Sequence, residues 1–413
     1  MRIAYLTQSY PPMISGAAMF ARQLAEAMSN RGHQVLVIAA SERGKPYCVQ
    51  NGNLTLLRLY SHHNPLRVGQ RFLLYPRRAT LHALRDFQPD IIHTHEPLQM
   101  GNLGLEYSRR MRIPITLTNH QLPWFAASYL PDKFGLRGFV ENMLWNYARW
   151  VLPQFTSLIA PTQTISDFIT QKTNIESQTI GYGIDLDSFH PHPDFNEEAA
   201  TRVRLNLPPS IPILLHVGRL DTDKSVDRVI AASAQILREK DACLVIVGDG
   251  SQKSALMKLC KSLGIADKVK FTGSISMQAG LPQIYRIANL FVAASEIETQ
   301  GIVLLEAAAS GLPIAAVRAT CIPEIVHHGV NGYLAEQGDI NGLGNLMRVI
   351  LNDPLNAKTM GRAGRALVES HTAQHTTDLH EKFYQELVLQ TSTQGARVRV
   401  AHRRKLTKGW TKL

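Results

Sequence analysis

Two glutamates, Glu298 and Glu306, stand eight residues apart in the segment SEIETQGIVLLEAAASGLP. A strand, a glycine turn and a helix are predicted there, so backbone N–H groups at the helix start would suit a diphosphate. Carboxylates repel phosphate but accept hydrogen bonds from hydroxyls, which predicts that the two glutamates bind sugar hydroxyls. Spacing alone also fits a solvated helix start, with acids favoured by the helix dipole. The backbone amides predicted to bind the diphosphate, and with it the donor substrate, belong to Gln300, Gly301, Ile302 and Val303.

Two cations, Arg219 and Lys224, follow another apolar strand in the segment HVGRLDTDKSVD. Ligands of open α/β sheets gather at the carboxyl ends of the strands, and two cations there can neutralise a leaving diphosphate. They would supply the electrophilic assistance that a metal supplies elsewhere. Taken alone, the pattern also fits a strand-end Arg219 that pairs with Asp221 or Asp223, which is the commoner structural interpretation.

The loop after the first strand, in TQSYPPMISGAAMF, leads into a helix that begins at Gly16, whose amide could approach a phosphate closely. The loop is neither GxGxxG nor GxxxxGK[ST], which counts against a nicotinamide dehydrogenase or a P-loop ATPase. His93, His95 and His120 end apolar runs, although a histidine in such a place is more often structural than catalytic. Residues 185–187 imitate a metal-binding DxD motif, but no matching ligand cluster accompanies them, so no metal site is predicted.

The chain that must position these side chains is 413 residues long, a length that predicts two domains rather than one core. With 45% hydrophobic and 19% charged residues its composition is globular, and no apolar run reaches the roughly 18 residues of a spanning helix. The N-terminus is typical of a buried strand rather than a signal peptide, so a cytoplasmic location is predicted. The four cysteines show neither metal-binding nor disulfide spacing.

The net charge of +11 is concentrated in two places. Residues 1–180 hold 18 Lys and Arg against 10 Asp and Glu, and the tail after Glu386 carries cations without an acid. Such a surface attracts phosphate-rich partners, and anionic lipid or nucleic acid would both satisfy it. Because no RNA- or DNA-binding signature is present, the predicted partner is an anionic membrane and not nucleic acid.

Short apolar strands alternate with helical stretches in both halves of the chain, which is the βαβ pattern of parallel, doubly wound sheets. The segment TIGYGIDLDSFHPHPDF breaks both periodicities and marks the joint. The predicted fold class is therefore α/β, with Rossmann-like domains over residues 1–183 and 184–375. A last helix, 376–391, fits either domain by pattern and is predicted to cross back to the first, and a basic tail follows over 392–413.

In this order, the motifs resemble those of the retaining glycosyltransferases of family four, which have the GT-B fold of two Rossmann-like domains facing a central cleft. The resemblance covers nearly the whole chain, through IAYLTQSYPPMISGAAMF, DIIHTHEP, APTQTISDFI, GYGIDLDSF, HVGRLDTDKSVDRVI, LVIVGDG, SEIETQGIVLLEAAASGLP and IPEIVHHGVNGYL. It implies transfer of a hexose from a nucleotide-diphosphate sugar, UDP being favoured over GDP, without a metal or other cofactor. In its ETQG segment the chain is similar to bacterial enzymes that glucosylate diacylglycerol, which implies a lipid acceptor.

Carried over residue by residue, the resemblance implies that Arg219 and Lys224 hold the donor diphosphate together with the amide of Gly16. Glu306 would take the ribose hydroxyls, and Glu298 would take the hydroxyls of the transferred sugar. The family's mechanism is front-face attack without a protein nucleophile, so catalysis would consist of positioning and charge stabilisation.

The resemblance also places His120 beside the sugar and the acceptor, in the N-terminal domain that would bind the acceptor. The nucleotide base would lie near a loop of the C-terminal domain, formed by Gly273, Ser274 and Ile275. The predicted catalytic residues are therefore His120, Glu298, Arg219 and Lys224.

The N-terminal half also carries arginines across LRVGQRFLLYPRRATLHALRDF, among Leu, Phe and Tyr. Taken as one helix, this stretch is typical of an interfacial segment. An ordinary helix that packs its apolar residues inward and solvates its arginines fits the same pattern. The residues predicted to contact acceptor or membrane are Arg67, Arg71, Arg77, Arg78, Trp124 and Phe125.

The sequence thus predicts a peripheral enzyme on the inner face of the cell membrane, with a nucleotide sugar as donor and a lipid such as diacylglycerol as acceptor. A soluble or polysaccharide acceptor is the first alternative. A sugar-nucleotide epimerase of the same fold would need an acid and base pair, and a nucleic-acid-binding protein would leave the carboxylates unexplained. The oligomeric state is left open.

Overall fold

The computed structural model describes residues 1–13, 15–64, 70–120, 122–127, 135–191 and 195–409, without the side chains of 125–126 and 394–409. The chain divides into two compact units. Unit 1 comprises Met1–Pro161, Ser166–Ile180 and Thr376–Leu413, and unit 2 comprises Thr162–Ile165 and Gly181–His375. The boundary expected after Gly183 thus falls three residues earlier, between Ile180 and Gly181.

Unit 1 is built on an eight-stranded sheet whose central strands are apolar runs buried on both faces, as parallel strands covered by helices must be. The strands are β1 (Arg2–Leu6), β2 (Gln34–Ala40), β3 (Tyr47–Asn51), β4 (Leu54–Leu59), β7 (Ile91–Thr94), β8 (Ile115–Thr118), β9 (Ser157–Ala160) and β10 (Gln178–Thr179). Their order is β10-β9-β8-β7-β1-β2-β4-β3, and only the β3–β4 pair is antiparallel among these described strands. A separate hairpin pairs β5 (His62–His63) with β6 (Arg71–Phe72).

The helices of unit 1 cover both faces of this sheet. They are α1 (Gly16–Asn30), α2 (Arg77–Phe87), α3 (Gln99–Met111), α4 (Pro123–Ala127), α5 (Leu136–Val151) and α6 (Gln163–Thr173). The connection from β1 to β2 runs in the opposite direction to those from β7 to β10, so right-handed crossovers place α1 on one face and α3, α5 and α6 on the other. Side-chain bonds join this second layer, from Arg77 to Glu106 and from Asn102 to Tyr147.

Unit 2 has a six-stranded, all-parallel sheet in the order β13-β12-β11-β14-β15-β16. Its strands are β11 (Ile213–Val217), β12 (Cys243–Val247), β13 (Val269–Gly273), β14 (Leu290–Ala293), β15 (Ile314–Val317) and β16 (Gly332–Ala335). Its helices are α7 (Phe195–Arg204), α8 (Val226–Glu239), α9 (Lys253–Ser262), α10 (Leu281–Arg286), α11 (Ile302–Ala309), α12 (Ile322–Ile325), α13 (Ile340–Asn352) and α14 (Pro354–Val368). The sequence pattern of alternating strands and helices is therefore present in both units.

The last helix, α15 (Ala373–Gly409), packs against unit 1 from Thr376 onward. Glu381 accepts hydrogen bonds from Arg31 (2.6 Å) and pairs with the His33 ring (2.8 Å), and the Tyr384 hydroxyl lies 2.6 Å from Nδ1 of His93. Its backbone stays helical through 392–409, the segment treated as a basic tail in the sequence prediction. Among the helices that the structure describes, none has the length and apolar character needed to cross a membrane.

Candidate functional site

The predicted donor residues of unit 2 follow two neighbouring strands at the centre of its sheet. From β11 the chain continues to β12 on one side, and from β14 it continues to β15 on the other. Ligands of open α/β sheets bind at the carboxyl ends of the strands, where the strand order reverses in this way. Arg219 and Lys224 follow β11 and Glu298 follows β14, so the topology brings all three to this point.

Lys224 and Glu298 form an ion pair between Nζ and Oε1. Their side chains are 18% and 13% exposed, so the pair is held at the edge of the sheet and still reaches solvent. The backbone N–H of Glu298 donates to Oγ1 of Thr320 at 3.0 Å, which fixes the loop after β14. The sequence assigned Lys224 to the phosphate and Glu298 to the sugar, and the structure joins the two side chains.

Arg219 pairs with both Asp221 and Asp223, the two aspartates that its sequence context offered as structural partners. Its guanidinium donates to Asp221 and, at 2.7 Å, to Oδ2 of Asp223, whose side chain is almost fully buried. Asp221 in turn accepts hydrogen bonds from the backbone N–H (3.1 Å) and the hydroxyl (2.9 Å) of Ser251. The arginine side chain remains 24% exposed, so the aspartates orient a cation that a ligand can still contact.

The glycines of the VGDG segment hold the Arg219 loop against the neighbouring strand. Gly248 has φ +148°, and a Cβ there would collide with the carbonyl oxygen of Gly218. A Cβ on Gly250 would lie 2.5 Å from the carbonyl oxygen of Leu220. Because only glycine permits these two approaches, the backbone N–H of Leu220 can donate to the carbonyl of Asp249 at 3.0 Å.

The start of α11 has the geometry predicted for anion binding. Gly301 occupies the N-cap in the left-handed region with φ +70°, and a Cβ there would crowd Leu304 at 2.9 Å. The carbonyl of Gly301 accepts from the backbone N–H groups of Leu304 and Leu305. The amides of Ile302 and Val303 are then the donors at the positive end of the helix, where a phosphate is favoured.

The side chain of Gln300 does not serve the predicted donor site. It is 4% exposed, and its Oε1 accepts from the backbone N–H of Tyr182 at 2.8 Å while its Nε2 donates to the Tyr182 carbonyl at 3.2 Å. A carboxamide satisfies both groups of one peptide segment, so Gln300 fixes the chain at the start of unit 2. The donor contact predicted for Gln300 is made through its backbone amide, and it stays a prediction.

We expect Gln300→Leu to lower the free energy of unfolding of the protein by about 2–4 kcal/mol, because the buried N–H and carbonyl of Tyr182 would both lose their hydrogen bonds to Gln300. Thermal unfolding measures this loss. Gln337→Leu is the matched control, since Gln337 is exposed and donates only to the Arg318 carbonyl among described residues. Equal stability of the two variants would show that the Tyr182 contacts contribute nothing.

Glu306 lies one turn into α11 and is bound by a tyrosine that the sequence did not indicate. The hydroxyl of Tyr285, in α10, donates to Oε2 of Glu306 at 2.7 Å. Burial raises the pKa of Glu306 to about 7, and the hydrogen bond from Tyr285 opposes part of that rise. Near neutral pH this carboxyl is therefore shared between its protonated and ionised forms.

The segment predicted to lie near the nucleotide base ends β13, the edge strand beyond β12. Gly273 has φ +75°, and its carbonyl accepts from the backbone N–H of Gly248 at 2.9 Å. Ser274 is exposed and Ile275 is half-buried. The segment therefore stands at the same edge of the sheet as the Arg219 loop, because all six strands are parallel.

In unit 1, Gly16 is the first residue of α1, which follows β1 at the reversal point of that sheet. The hydroxyl of Ser15 caps the helix by accepting from the backbone N–H of Ala18 at 3.1 Å, which leaves the first amides of α1 for a ligand. The loop before it is held by a fully buried arginine that sequence did not single out. Arg58, 1% exposed, donates to the carbonyls of Ala40 (2.8 Å), Tyr10 (3.3 Å) and Pro11.

His120 belongs to a cluster of four stacked histidines, the others being His93, His95 and His380. His95 Nδ1 and His120 Nε2 lie 2.9 Å apart, and His93 contacts the hydroxyl of Thr118 at 2.7 Å. Ring centroids are 4.5 Å apart for His93 and His95 and 5.2 Å for His95 and His120. All four rings are buried, and His380 comes from α15.

Burial lowers the pKa of each of these histidines. The pKa of His120 falls to about 3 and that of His380 to about 4, and those of His93 and His95 lie well below the ordinary 6.5. His120 is therefore a neutral imidazole that can exchange hydrogen bonds but carries no charge near pH 7. Its predicted place beside the sugar stays a prediction.

The arginine segment predicted to lie at a membrane is not one helix. Arg71 is in β6 and donates to the hydroxyl and carbonyl of Ser61, each at 2.9 Å. Arg77 begins α2 and donates to Glu106 of α3 at 2.9 Å. The single helix is therefore wrong, because Arg71 lies in a strand and α2 begins only at Arg77. Arg78 is exposed, and the predicted membrane contact of these arginines stays a prediction.

Trp124, predicted to contact acceptor or membrane, is half-buried and packs against aromatic side chains of unit 1. Its ring centroid lies 4.2 Å from that of Phe168 and 6.0 Å from that of Trp145. Arg67 and the side chain of Phe125 lie outside the described residues. Of the residues predicted to contact acceptor or membrane, Arg71, Arg77 and Trp124 thus make contacts within unit 1.

The DxD string folds as a local turn. Asp185 accepts from the backbone N–H groups of Asp187 and Ser188 at 3.1 Å each and from the Ser188 hydroxyl at 2.6 Å. Within the described part of the chain, no three His, Cys, Asp or Glu residues are grouped so as to hold a metal ion.

Comparison with known proteins gives consistent matches over both units. A family model described as Glycosyltransferase Family 4 matches residues 14–188, and one described as Glycosyl transferases group 1 matches residues 197–367. Alpha-monoglucosyldiacylglycerol synthase of Streptococcus pneumoniae is 27% identical over 95% of this chain and 88% of its own length. N-acetyl-alpha-D-glucosaminyl L-malate synthase of Bacillus anthracis is 26% identical over 91% and 95%.

Two solved structures are similar in fold. Sucrose-phosphate synthase of Thermosynechococcus elongatus has a TM-score of 0.77 at 23% identity, covering 94% of this chain and 99% of its own. Anabaena Alr3699/HepE, in complex with UDP and glucose, has a TM-score of 0.74 at 20% identity, covering 94% and 100%. Two Rossmann-like units, with a polar site where the strand order reverses, are the architecture of a GT-B glycosyltransferase. The chain belongs to glycosyltransferase family four, as its resemblance in sequence predicted.

Proposed function

We propose that this glycosyltransferase transfers a hexose, with retention of configuration, from a UDP-sugar to a membrane lipid of the diacylglycerol type. The observation that carries the proposal is the Lys224–Glu298 ion pair at the strand reversal of unit 2, with Arg219 in the same loop as Lys224 and Glu306 on the adjacent helix. UDP is favoured because a structural neighbour binds UDP and glucose. The name of the S. pneumoniae relative, a diacylglycerol glucosylating enzyme, favours the lipid and glucose.

Each residue of this set has a chemical task in the proposal. Lys224, with Arg219 and the amides at the start of α11, stabilises the charge that develops on the leaving diphosphate. Glu298 releases part of its bond to Lys224 and accepts hydrogen bonds from hydroxyls of the sugar. Catalysis then depends on positioning and charge stabilisation, with no protein nucleophile. We expect the two cations to act without a divalent ion, which assay with and without EDTA would test.

A soluble acceptor is the second candidate, because the B. anthracis relative, at nearly the same identity, is named N-acetyl-alpha-D-glucosaminyl L-malate synthase. Parallel assays with diacylglycerol in vesicles and with L-malate separate the two. Product from malate alone would replace the lipid in this proposal and leave the donor site unchanged.

We expect UDP and UDP-glucose to raise the melting temperature, because a ligand of the native state stabilises it.

Ribose hydroxyls that donate to Glu306 bind its ionised form. Since burial holds the free carboxyl's pKa at about 7, nucleotide affinity should rise about tenfold per pH unit below 7 and level off above it.

Glu306→Gln should remove this pH dependence, and Tyr285→Phe, which removes the opposing hydrogen bond, should move it to higher pH. GDP and ADP serve as the nucleotide controls. A melting temperature that responds to none of the nucleotides, even with acceptor vesicles present, would contradict the proposed donor site.

A further inference from the structure

Helix α5 presents an apolar stripe to solvent. Leu136, Phe139, Met143 and Trp150 are 43%, 69%, 52% and 62% exposed. Their spacing of three, four and seven residues places them on one face of the helix. The opposite face is also apolar and is packed inward, with Trp145 3% exposed. A helix that only covers a core needs one apolar face, so the second one, here named the α5 stripe, is left without a partner in the chain's described part.

Cations surround the far end of this stripe. Arg149, beside Trp150, donates to the carbonyl of Lys172 at 2.9 Å and to the amide oxygen of Asn146 at 2.8 Å, so its described hydrogen bonds go to neutral groups. Arg109, at the end of α3, donates to the amide oxygen of Gln154, which is also neutral. The stripe therefore lies beside positive charge that these contacts do not cancel.

The neighbouring helix ends add to this charge. Met111, 53% exposed, ends α3 between further arginines, and Lys172 is in the last turn of α6. In α3, α5 and α6, the acids are Glu106, Glu141 and Asp167. Glu106 pairs with Arg77 and Arg110, and Glu141 accepts a hydrogen bond from the Trp145 indole. The cations of the same helix layer are Arg109, Arg110, Arg112, Arg137, Arg149 and Lys172.

We propose that the α5 stripe docks on an anionic phospholipid bilayer, with α5 lying along the membrane plane. At about 1.5 Å per residue, the stripe extends for about 21 Å, enough for its four side chains to enter the interface together. The cations beside it would meet lipid phosphates, as polybasic segments do. A second copy of the chain fits the same face less well, because it would bring one set of arginines against another.

This inference rests on the proposed lipid acceptor, and it replaces the arginine segment of residues 67–85 as the membrane contact. There, Arg71 and Arg77 are occupied by Ser61 and Glu106, whereas the α5 stripe is apolar, exposed and continuous. An interfacial helix is defined by such an apolar face flanked by cations.

The experiment is flotation of the full chain with vesicles of phosphatidylglycerol and phosphatidylcholine at low salt. We expect the wild-type protein to float with these vesicles, and the double variant Phe139→Ser/Trp150→Ser to bind at least tenfold more weakly. Leu355→Ser is the matched control, because Leu355 is 82% exposed in unit 2 and lies outside the stripe. Arg149→Ala/Lys172→Ala should weaken binding to anionic vesicles and leave the wild-type's weaker binding to neutral vesicles unchanged.

Unchanged flotation of the double variant would overturn the proposal. So would a wild-type dimer in sedimentation equilibrium that the double variant dissociates while both proteins float equally, because the stripe would then be a contact between copies. The double variant should keep the UDP-induced rise in melting temperature and its transfer to a short-chain diacylglycerol in detergent. Flotation that depends on the stripe, without transfer to any diacylglycerol, would support the surface and contradict the proposed acceptor.

Discussion

Lys224→Ala is expected to lower kcat/KM for transfer by about a hundred- to a thousandfold while the protein remains folded. The variant removes a cation from the leaving diphosphate and also deprives Glu298 of its partner. Both losses act on the charge distribution in the transition state. Initial rates at saturating acceptor, with thermal unfolding on the same preparation, measure the effect.

Glu298→Gln, which keeps the shape of the side chain, should cause a loss of similar size. Since the two residues act as one pair, the double variant Lys224→Ala/Glu298→Gln should lose little more than either single variant. Lys253→Ala is the matched control, because Lys253 pairs with Asp249 at 2.9 Å on the exposed surface of the same unit. Losses that multiply in the double variant would show that the two side chains act independently.

The second large effect expected is loss of stability in mild acid. Burial lowers the pKa of His120 to about 3 and of His380 to about 4, and lowers those of His93 and His95, whereas all four return to about 6.5 on unfolding. Below pH 6.5 the unfolded chain therefore binds more protons. Each histidine's contribution is complete above that pH and is lost by about 1.4 kcal/mol per pH unit as the pH falls toward the folded value.

Glu306 acts in the opposite direction, since its raised pKa lets the folded protein keep a proton between pH 4.5 and about 7. Urea unfolding at intervals between pH 7.5 and 5 would measure the net slope. His380→Leu should reduce that slope by one proton. Identical slopes for wild type and His380→Leu would mean that His380 binds a proton as readily in the folded protein as in the unfolded chain.

Much of the fold was predictable because the strands are short apolar runs with clear ends. The helix start at Gly301 and the cation loop after β11 followed from where such strands end. The pairing of Lys224 with Glu298 could not be predicted, because 74 residues separate them and the sequence gives no spatial distance between residues so far apart. The side-chain contact of Gln300 was hidden for the same reason: its partner, Tyr182, lies 118 residues earlier.

The single helix over residues 67–85 could not be recognised as wrong from sequence, because arginines among apolar residues give the same pattern in a structural hairpin as at an interface. What distinguishes them is whether each guanidinium already has a partner, as Arg71 and Arg77 do. Helix α5 gave no signal, because apolar residues on both faces are typical of a buried helix. Only the exposure of Phe139 and Trp150 shows the difference.

The return of α15 to unit 1 also sets the order in which the protein can be completed during synthesis. Unit 1 lacks the buried side chains of His380 and Tyr384 until the chain has been made as far as residue 384, so its core cannot be completed before then. Every residue of unit 2 has been added by His375. The second unit can therefore close first on the ribosome, against the usual order in which domains near the N-terminus fold earlier.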